Sequence, residues 1–139
     1  MDANVWFSAA RSQQGGSFLI MQFAKKKLLT VCANHYVLQE AERNLILKSP
    51  QSLRHYYSLR SEISPVMVSS DVPSEFRRKF AKLIPLNDLP VVAGALESRA
   101  EYLVTLDRRD LANDRVRKLP LPFLIVTPGD FLENARSAE

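Results

Sequence analysis

The 139-residue sequence has one cysteine, two histidines and four glycines, and this scarcity argues against several kinds of site. A single cysteine, Cys32, cannot form a disulfide within the chain, and so few histidine and cysteine ligands argue against structural zinc. Because neither a GxxxxGK nor a GxGxxG loop is present, the sequence also argues against a nucleotide-binding enzyme. Cys32 lies in the apolar run LLTVCA, as expected of a buried thiol in a reducing cytoplasm.

Long apolar runs are also missing. No stretch approaches the roughly eighteen residues of a membrane span, and Asp2 stands where a signal peptide would carry basic residues. We therefore expect a cytoplasmic protein without a membrane partner. Hydrophobic residues make up 46% and charged residues 24% of the chain, a balance typical of one globular domain over residues 1–139.

Short apolar segments alternate with helical patterns along the chain. The predicted strands are LLTVCA at 28–33, VMVSS at 66–70, YLVTL at 102–106 and PFLIVTP at 122–128. Helices are predicted before, between and after them, over 18–27, 35–48, 51–63, 74–84, 89–100 and 129–139. Because the strands are continuously apolar, we expect an α/β fold: a three-layer α/β/α sandwich around a mostly parallel sheet of four to five strands.

Four acidic residues lie near the expected ends of these strands, where open parallel sheets form their sites. Asp107 follows YLVTL directly, Asp88 begins the helix that leads into that strand, and Asp2 precedes the first apolar segment. Glu40 lies within two turns of the start of the helix after LLTVCA. Each alone is typical of a helix cap, a turn or a solvated helix face. Together, carboxylates at one rim repel unless a cation binds, and hard oxygen ligands favour Mg²⁺ or Mn²⁺.

Such a cluster suits phosphodiester hydrolysis, in which a metal activates water and neutralises charge on the leaving oxygen. The chain has 19 basic and 15 acidic residues, and setting aside the four candidate acids leaves a larger basic excess. A negative pocket in a basic surface is expected of a metal nuclease, since cations must contact the phosphates. The candidate clusters are Lys25–Lys27, Arg77–Lys79 and Arg108–Arg109, and the last adjoins Asp107.

The segments that carry these acids resemble the motifs of the PIN domain family. They are DANV at 2–5 with Ser8, VLQEAERNL at 37–45, NDLPVVAGA at 87–95 and YLVTLDRRDL at 102–111. The resemblance covers nearly the whole chain and implies a PIN-like fold with Mg²⁺- or Mn²⁺-dependent endoribonuclease activity. Many members of the family are ribonuclease toxins of bacterial toxin–antitoxin pairs. The implied partners are single-stranded RNA, an antitoxin protein and a second copy of the chain in a homodimer.

The resemblance also implies roles for individual side chains. Asp2, Glu40, Asp88 and Asp107 would bind the metal, directly or through water. Asn4 and Ser8 would orient Asp2 and the water that attacks phosphorus.

Two of these acids have neighbouring alternatives. Glu42 competes with Glu40 but lies about 200° away around the helix, and the apolar positions of that helix favour the side of Glu40. Asp110 competes with Asp107 but lies one turn further from the strand.

A second hypothesis is a PIN-like scaffold that has lost catalytic competence and binds RNA or a protein partner. In the family the first aspartate ends a central strand, whereas only Met1 precedes Asp2 here. A sheet that lacks this strand would leave backbone groups unpaired and a groove unfilled, at a large cost in free energy. Three alternatives are open: the true start lies upstream, tag residues fill the place, or the first motif is displaced.

Overall fold

The computed structural model describes residues 1–137, and most of them are helical. The helices are α1 Ala3–Arg11, α2 Gly16–Lys25, α3 His35–Lys48, α4 Leu53–Ile63, α5 Ser74–Phe80, α6 Leu89–Glu97, α7 Asp114–Arg117 and α8 Pro128–Ser137. The strands are β1 Cys32–Ala33, β2 Val66–Met67, β3 Tyr102–Val104 and β4 Leu124–Val126. Single 3₁₀ turns at Pro50–Ser52 and Leu86–Asp88 precede α4 and α6. Throughout the described residues, each helix is too short or too polar to cross a bilayer.

Local side-chain chemistry accounts for the helix that the sequence predicts best. Helix α3 spans the predicted residues 35–48, and the Asn34 side chain caps it by accepting a hydrogen bond from Val37 N at 2.9 Å. Helix α8 follows the prediction as far as Ser137, and the last two residues of the predicted helix lie outside the described part of the chain. Neither helix α1 nor the short helix α7 is among the predicted helices.

The strands are shorter than predicted. Only Cys32 and Ala33 of the run 28–33 belong to a strand, because Lys27 adopts a positive φ of 59° after α2 and the chain turns through the following residues. In each of the other three predicted strands, only two or three residues form a strand in the structure.

The protein is a mixed α/β fold with two small parallel sheets. Strand β1 pairs with β2, with Cys32 opposite Val66, and β3 pairs with β4, with Tyr102 opposite Leu124. Parallel pairing follows the prediction, but within residues 1–137 the four strands do not join into one sheet. The predicted single sheet of four to five strands is therefore not observed.

Residues Met1 and Asp2 lie between the two sheets and contact both. The Met1 nitrogen is 3.5 Å from the Cys32 carbonyl oxygen of β1. The Asp2 amide donates to the Val104 carbonyl of β3 at 2.9 Å. The two sheets thus flank the start of α1, and Met1 and Asp2 bridge them.

Helix α1 is held in place by the aromatic core. Trp6 is fully buried and makes an edge-to-face contact with Tyr56 of α4, with ring centroids 6.3 Å apart. The Tyr56 hydroxyl donates to the Leu38 carbonyl of α3 at 2.9 Å. Because α1 packs on α2, α3 and α4, its first residues have a defined position relative to the strand ends.

Helix α6 approaches the start of α3 through Gly94. A Cβ atom at Gly94 would lie 2.7 Å from Nδ2 of Asn34. The same nitrogen donates to the Pro90 carbonyl at 3.1 Å. This close contact ties the helix that follows Asp88 to the end of β1.

Candidate metal centre

Three carboxylates converge beside the end of β3. Asp88 ends the 3₁₀ turn before α6, while Asp107 and Asp110 lie in the turn that follows β3. Each residue offers one carboxylate oxygen such that all three oxygens lie within 4.8 Å of one another. All three side chains are partly buried. The structure therefore brings together Asp88 and both alternatives for the fourth acid.

The turn after β3 explains why the side chains of Asp107 and Asp110 lie in the same cluster. Asp107 Oδ1 accepts the Asp110 amide at 2.9 Å. The Asp107 carbonyl accepts the amides of Leu111 and Ala112 at 3.3 and 2.8 Å. The sequence ranks Asp110 below Asp107 because it lies one turn further from the strand, and the structure brings a carboxylate oxygen of each into the same cluster.

Asp2 joins this cluster through a buried threonine. Asp2 is only 5% exposed and caps α1, with Oδ1 accepting the Ala3 amide at 2.7 Å. Its Oδ2 accepts the Thr105 hydroxyl at 2.7 Å, and Thr105 Oγ1 in turn accepts the Asp107 amide at 3.1 Å. The helix cap and the candidate site residue are thus the same side chain.

Thr105 is a site residue that the sequence reasoning missed. It is fully buried, and its one hydroxyl contacts both Asp2 and the backbone of Asp107. The available signal was a polar residue within the apolar segment YLVTL, two positions before the acid.

Asn4 lies against the same carboxylate. Its Nδ2 is 3.3 Å from both Asp2 Oδ2 and Thr105 Oγ1, and its Oδ1 accepts the Leu106 amide at 3.0 Å. Ser8 is one turn further along α1, and no hydrogen bond within residues 1–137 joins its hydroxyl to the acids. Asn4 therefore positions Asp2, whereas Ser8 has no such contact.

Glu40 and Glu42 face different neighbours. Glu42 Oε1 accepts the Tyr57 hydroxyl of α4 at 2.9 Å, away from the other acids. Burial raises the pKa of Glu40, and the charge of Asp2 raises it further. Glu40 thus borders the acidic site, although it does not belong to the group of three oxygens within 4.8 Å.

The electrostatics show that the acids form one group. Burial raises the pKa of Asp88 to about 7, with further contributions from the charges of Asp2, Asp107, Asp110 and Glu40. Burial also raises the pKa of Asp2, and its hydrogen bonds to Thr105 and Ala3 oppose the effect. Because like charges resist ionising together, a bound divalent cation would relieve the repulsion.

Tyr36 and Arg43 lie on α3 beside Glu40, and the sequence reasoning did not select them. The Tyr36 hydroxyl donates to the Asn87 carbonyl at 2.6 Å, next to Asp88. Burial raises the pKa of Tyr36, and the negative charges of Glu40 and Asp88 raise it further. The positive charge of Arg43 instead favours ionised Glu40. Tyr36 lies four residues before Glu40 and Arg43 three residues after it, and this spacing of one helical turn on either side was the available signal.

The basic clusters differ in their surroundings. Lys25 forms an ion pair with Glu62, with Nζ and Oε2 2.6 Å apart. Arg77–Lys79 occupy the last turn of the short helix α5, and Arg108 and Arg109 are exposed in the turn that carries Asp107 and Asp110. The last pair is therefore next to the acids.

The three carboxylates fit a hard divalent cation. Oxygens around Mg²⁺ at its usual bond length are about 2.9 Å apart when adjacent and about 4.2 Å apart when opposite. The observed limit of 4.8 Å exceeds that range only slightly, so small side-chain rotations would bring the oxygens together. The group that the described residues form consists of carboxylates alone, and oxygen ligands of this kind suit hard cations.

Comparisons of the chain with models of protein families, with characterised proteins and with solved structures find no match.

Proposed function

We propose that this protein is a Mg²⁺- or Mn²⁺-dependent endoribonuclease with a PIN-like fold, which hydrolyses phosphodiester bonds of single-stranded RNA in the cytoplasm. We further propose that it is the toxin of a toxin–antitoxin pair, with an antitoxin protein as partner and a homodimer as its assembly. One observation supports the nuclease above all others: Asp88, Asp107 and Asp110 converge beside the buried Asp2.

The acids have different roles in this proposal. Asp88, Asp107 and Asp110 hold the ion directly, because their oxygens already lie within 4.8 Å of one another. Asp2 and Glu40 border the ion and orient water, with Asp2 held by Thr105 and Asn4. When bound, a divalent ion supplies a water of lowered pKa and neutralises charge on the leaving oxygen.

Positive side chains at the rim would bind the phosphates of the RNA. Arg108 and Arg109 are exposed in the turn that carries two of the acids, and Arg43 lies beside Glu40. Arginine often forms bidentate hydrogen bonds with phosphate oxygens. The chain as a whole also has a formal charge of +4, which favours binding to a polyanion. These residues would orient the scissile phosphate without contributing to the ion site.

The PIN-like sandwich is part of the same proposal. The contacts of Met1 with β1 and of Asp2 with β3 support a lateral order of β2, β1, residues 1–2, β3 and β4. Residues 1–2 thus occupy the central position, and the acids collect at the carboxyl ends of the flanking strands. That placement is where open parallel sheets form their sites.

Calorimetric titration of Mn²⁺ tests the ion site. We expect the wild-type protein to bind Mn²⁺ and Asp88→Asn and Asp107→Asn each to lose most of the affinity. Asp114→Asn is the matched control, because Asp114 is exposed in α7 and outside the cluster. Absence of binding by the wild type, or equal loss in the control, would contradict the ion site.

Cleavage of single-stranded RNA tests the activity. We expect cleavage that requires Mg²⁺ or Mn²⁺, stops with a chelator and leaves a 5′ phosphate. The products should be lost in Asp107→Asn and retained in Asp114→Asn.

A non-catalytic scaffold is the second candidate, and the interruption of the sheet beside Asp2 favours it. This candidate predicts that RNA or a protein partner binds the wild type and Asp107→Asn equally well, without cleavage. Loss of binding in Asp107→Asn would favour the nuclease.

A further inference from the structure

The direction of the Asp88 carboxylate depends on the backbone around it. Asp88 ends the 3₁₀ turn Leu86–Asp88 and occupies the N-cap position of α6. Within the described part of the chain, its side chain makes no capping hydrogen bond to that helix, whereas the side chain of Asp2 caps α1. The carboxylate of Asp88 is therefore free to face the other acids, and the backbone of the turn decides whether it does.

Two donors from the start of α3 hold the backbone on either side of Asp88. The Tyr36 hydroxyl donates to the Asn87 carbonyl at 2.6 Å. The Asn34 amide nitrogen Nδ2 donates to the Pro90 carbonyl at 3.1 Å. These carbonyls belong to the residue before Asp88 and to the second residue after it, so the start of α3 brackets this acid.

The position of Tyr36 is itself well defined. Its backbone amide donates to Ser70 Oγ, in the segment after β2, at 3.2 Å. The neighbouring Val37 amide is bound by the cap residue Asn34. The aromatic ring of Tyr36 is partly buried against the hydrophobic core. Because both its backbone and its ring are held, the Tyr36 hydroxyl reaches Asn87 from a fixed base.

The two bracketing bonds differ in what else they contribute to the fold. Asn34 also caps α3, so its replacement would disturb that helix. The bond from Tyr36 to Asn87 is exposed, and water can satisfy the carbonyl when the hydroxyl is removed. Phenylalanine at position 36 would keep the ring in the core. The hydroxyl can therefore be removed with little effect on global stability.

We propose that Tyr36 is a positioning residue of the ion site: its hydroxyl holds the Leu86–Asp88 turn so that the Asp88 carboxylate faces the other two acids. The role rests on the proposed function, because it concerns the same ion site. Tyr36 acts through the backbone of Asn87 and does not itself bind the ion. Groups that orient metal ligands typically change affinity by about 10–100-fold, and an effect passed through the backbone belongs at the lower end.

Calorimetric titration of Mn²⁺ into Tyr36→Phe tests this role. We expect affinity to fall about tenfold, while the thermal midpoint of the metal-free protein stays close to that of the wild type. Tyr57→Phe is the matched control, because it removes another exposed tyrosine hydroxyl, which donates to Glu42 at 2.9 Å away from the acids. The control should bind Mn²⁺ as the wild type does.

Amide hydrogen exchange, measured in chelator, tests the hold on the turn without any metal. The Asp88 amide donates to the Pro85 carbonyl at 2.9 Å, so its exchange rate reports opening of the 3₁₀ turn. We expect this amide to exchange about fivefold faster in Tyr36→Phe, as the loss of one hydrogen bond of ordinary net strength implies. Exchange of the same amide should be unchanged in Tyr57→Phe.

Cleavage of single-stranded RNA distinguishes positioning of the ion site from contact with the substrate. We expect Tyr36→Phe to cleave more slowly than the wild type at low Mn²⁺ and to recover at saturating Mn²⁺, with the KM for RNA unchanged. A side chain that contacts RNA would instead raise this KM at every Mn²⁺ concentration.

Unchanged Mn²⁺ affinity in Tyr36→Phe, or an equal loss in Tyr57→Phe, would overturn the proposal. So would a raised KM that saturating Mn²⁺ does not correct. If the wild type itself binds no Mn²⁺, the proposed function fails, and the exchange comparison still decides whether Tyr36 holds the turn. Equal exchange of the Asp88 amide in the wild type and Tyr36→Phe would show that it does not.

Discussion

The hydroxyl of Thr105 donates to the carboxylate of Asp2 at 2.7 Å and joins two residues 103 positions apart. This bond connects the N-terminal cap of α1 to the end of β3. Because Thr105 Oγ1 also accepts the Asp107 amide, one buried hydroxyl sets the relative positions of two candidate site acids.

Replacing this hydroxyl should weaken both the fold and the ion site. Thr105→Val leaves the Asp107 amide and Asp2 Oδ2 without that partner, and we expect a loss of about 1–3 kcal/mol in unfolding free energy. Mn²⁺ affinity should also fall. Urea denaturation and calorimetry measure the two effects, and Thr105→Ser should recover both. A fully stable Thr105→Val with unchanged Mn²⁺ affinity would show that the bond has no such role.

The pH dependence of stability should report Asp88. Its pKa in the folded protein is raised from 3.8 to about 7, so the folded state binds more protons than the unfolded state between these values. The stability that protonated Asp88 contributes is therefore fully present below pH 3.8 and lost as the pH rises through about 7. Urea denaturation in chelator should show Asp88→Asn gaining stability relative to the wild type from pH 5 to pH 8. A constant difference would contradict the shifted pKa.

Metal binding should depend on pH in the opposite sense. Below about pH 7 the Asp88 carboxyl is protonated, and Mn²⁺ must displace the proton. We expect Mn²⁺ affinity to rise between pH 6 and pH 8 with release of protons, detected by calorimetry in buffers of different ionisation enthalpy. Mn²⁺ affinity that is independent of pH would argue that Asp88 does not contact the ion.

The two glutamates of α3 provide a matched comparison. Glu40→Gln should weaken Mn²⁺ binding, because Glu40 borders the acids and interacts with the charge of Asp2. Glu42→Gln should leave Mn²⁺ affinity nearly unchanged, since Glu42 instead accepts the exposed Tyr57 hydroxyl. The reverse result would assign the second acid to Glu42.

Gly94 should resist substitution although it lies inside a helix. Alanine is favoured over glycine in helices by about 1 kcal/mol, but its Cβ would lie 2.7 Å from Asn34 Nδ2. Overpacking typically costs about 1–3 kcal/mol, so we expect Gly94→Ala to lower the unfolding free energy overall. Gly129→Ala is the control, because a Cβ atom at Gly129 would lie 3.9 Å from Thr127 Oγ1, an ordinary contact distance, and this change should be neutral or stabilising. Thermal denaturation distinguishes the two.

Local patterns in the sequence were sufficient for several features. The cap at Asn34, the bounds of α3 and the positions of four short parallel strands follow from neighbouring residues. Helix periodicity and caps depend on groups within a few positions of each other, so they can be read along the chain. Asp88 and Asp107 were expected to lie close together for a similar reason, because both lie near the ends of predicted strands.

Other features depended on contacts between distant segments. The sequence did not single out Thr105, did not include Asp110 among the preferred acids and predicted one continuous sheet. Each outcome depends on tertiary structure: how the turn after β3 folds back, which hydroxyl reaches Asp2, and which strand edges meet.

By itself, the sequence determined most of the helices, the approximate positions of the strands and which acids lie near the strand ends, because these properties arise from nearby backbone and side-chain groups. Only the tertiary structure decided which carboxylates converge and where the sheet is interrupted. Both depend on distances between segments up to 103 residues apart, which no local pattern encodes.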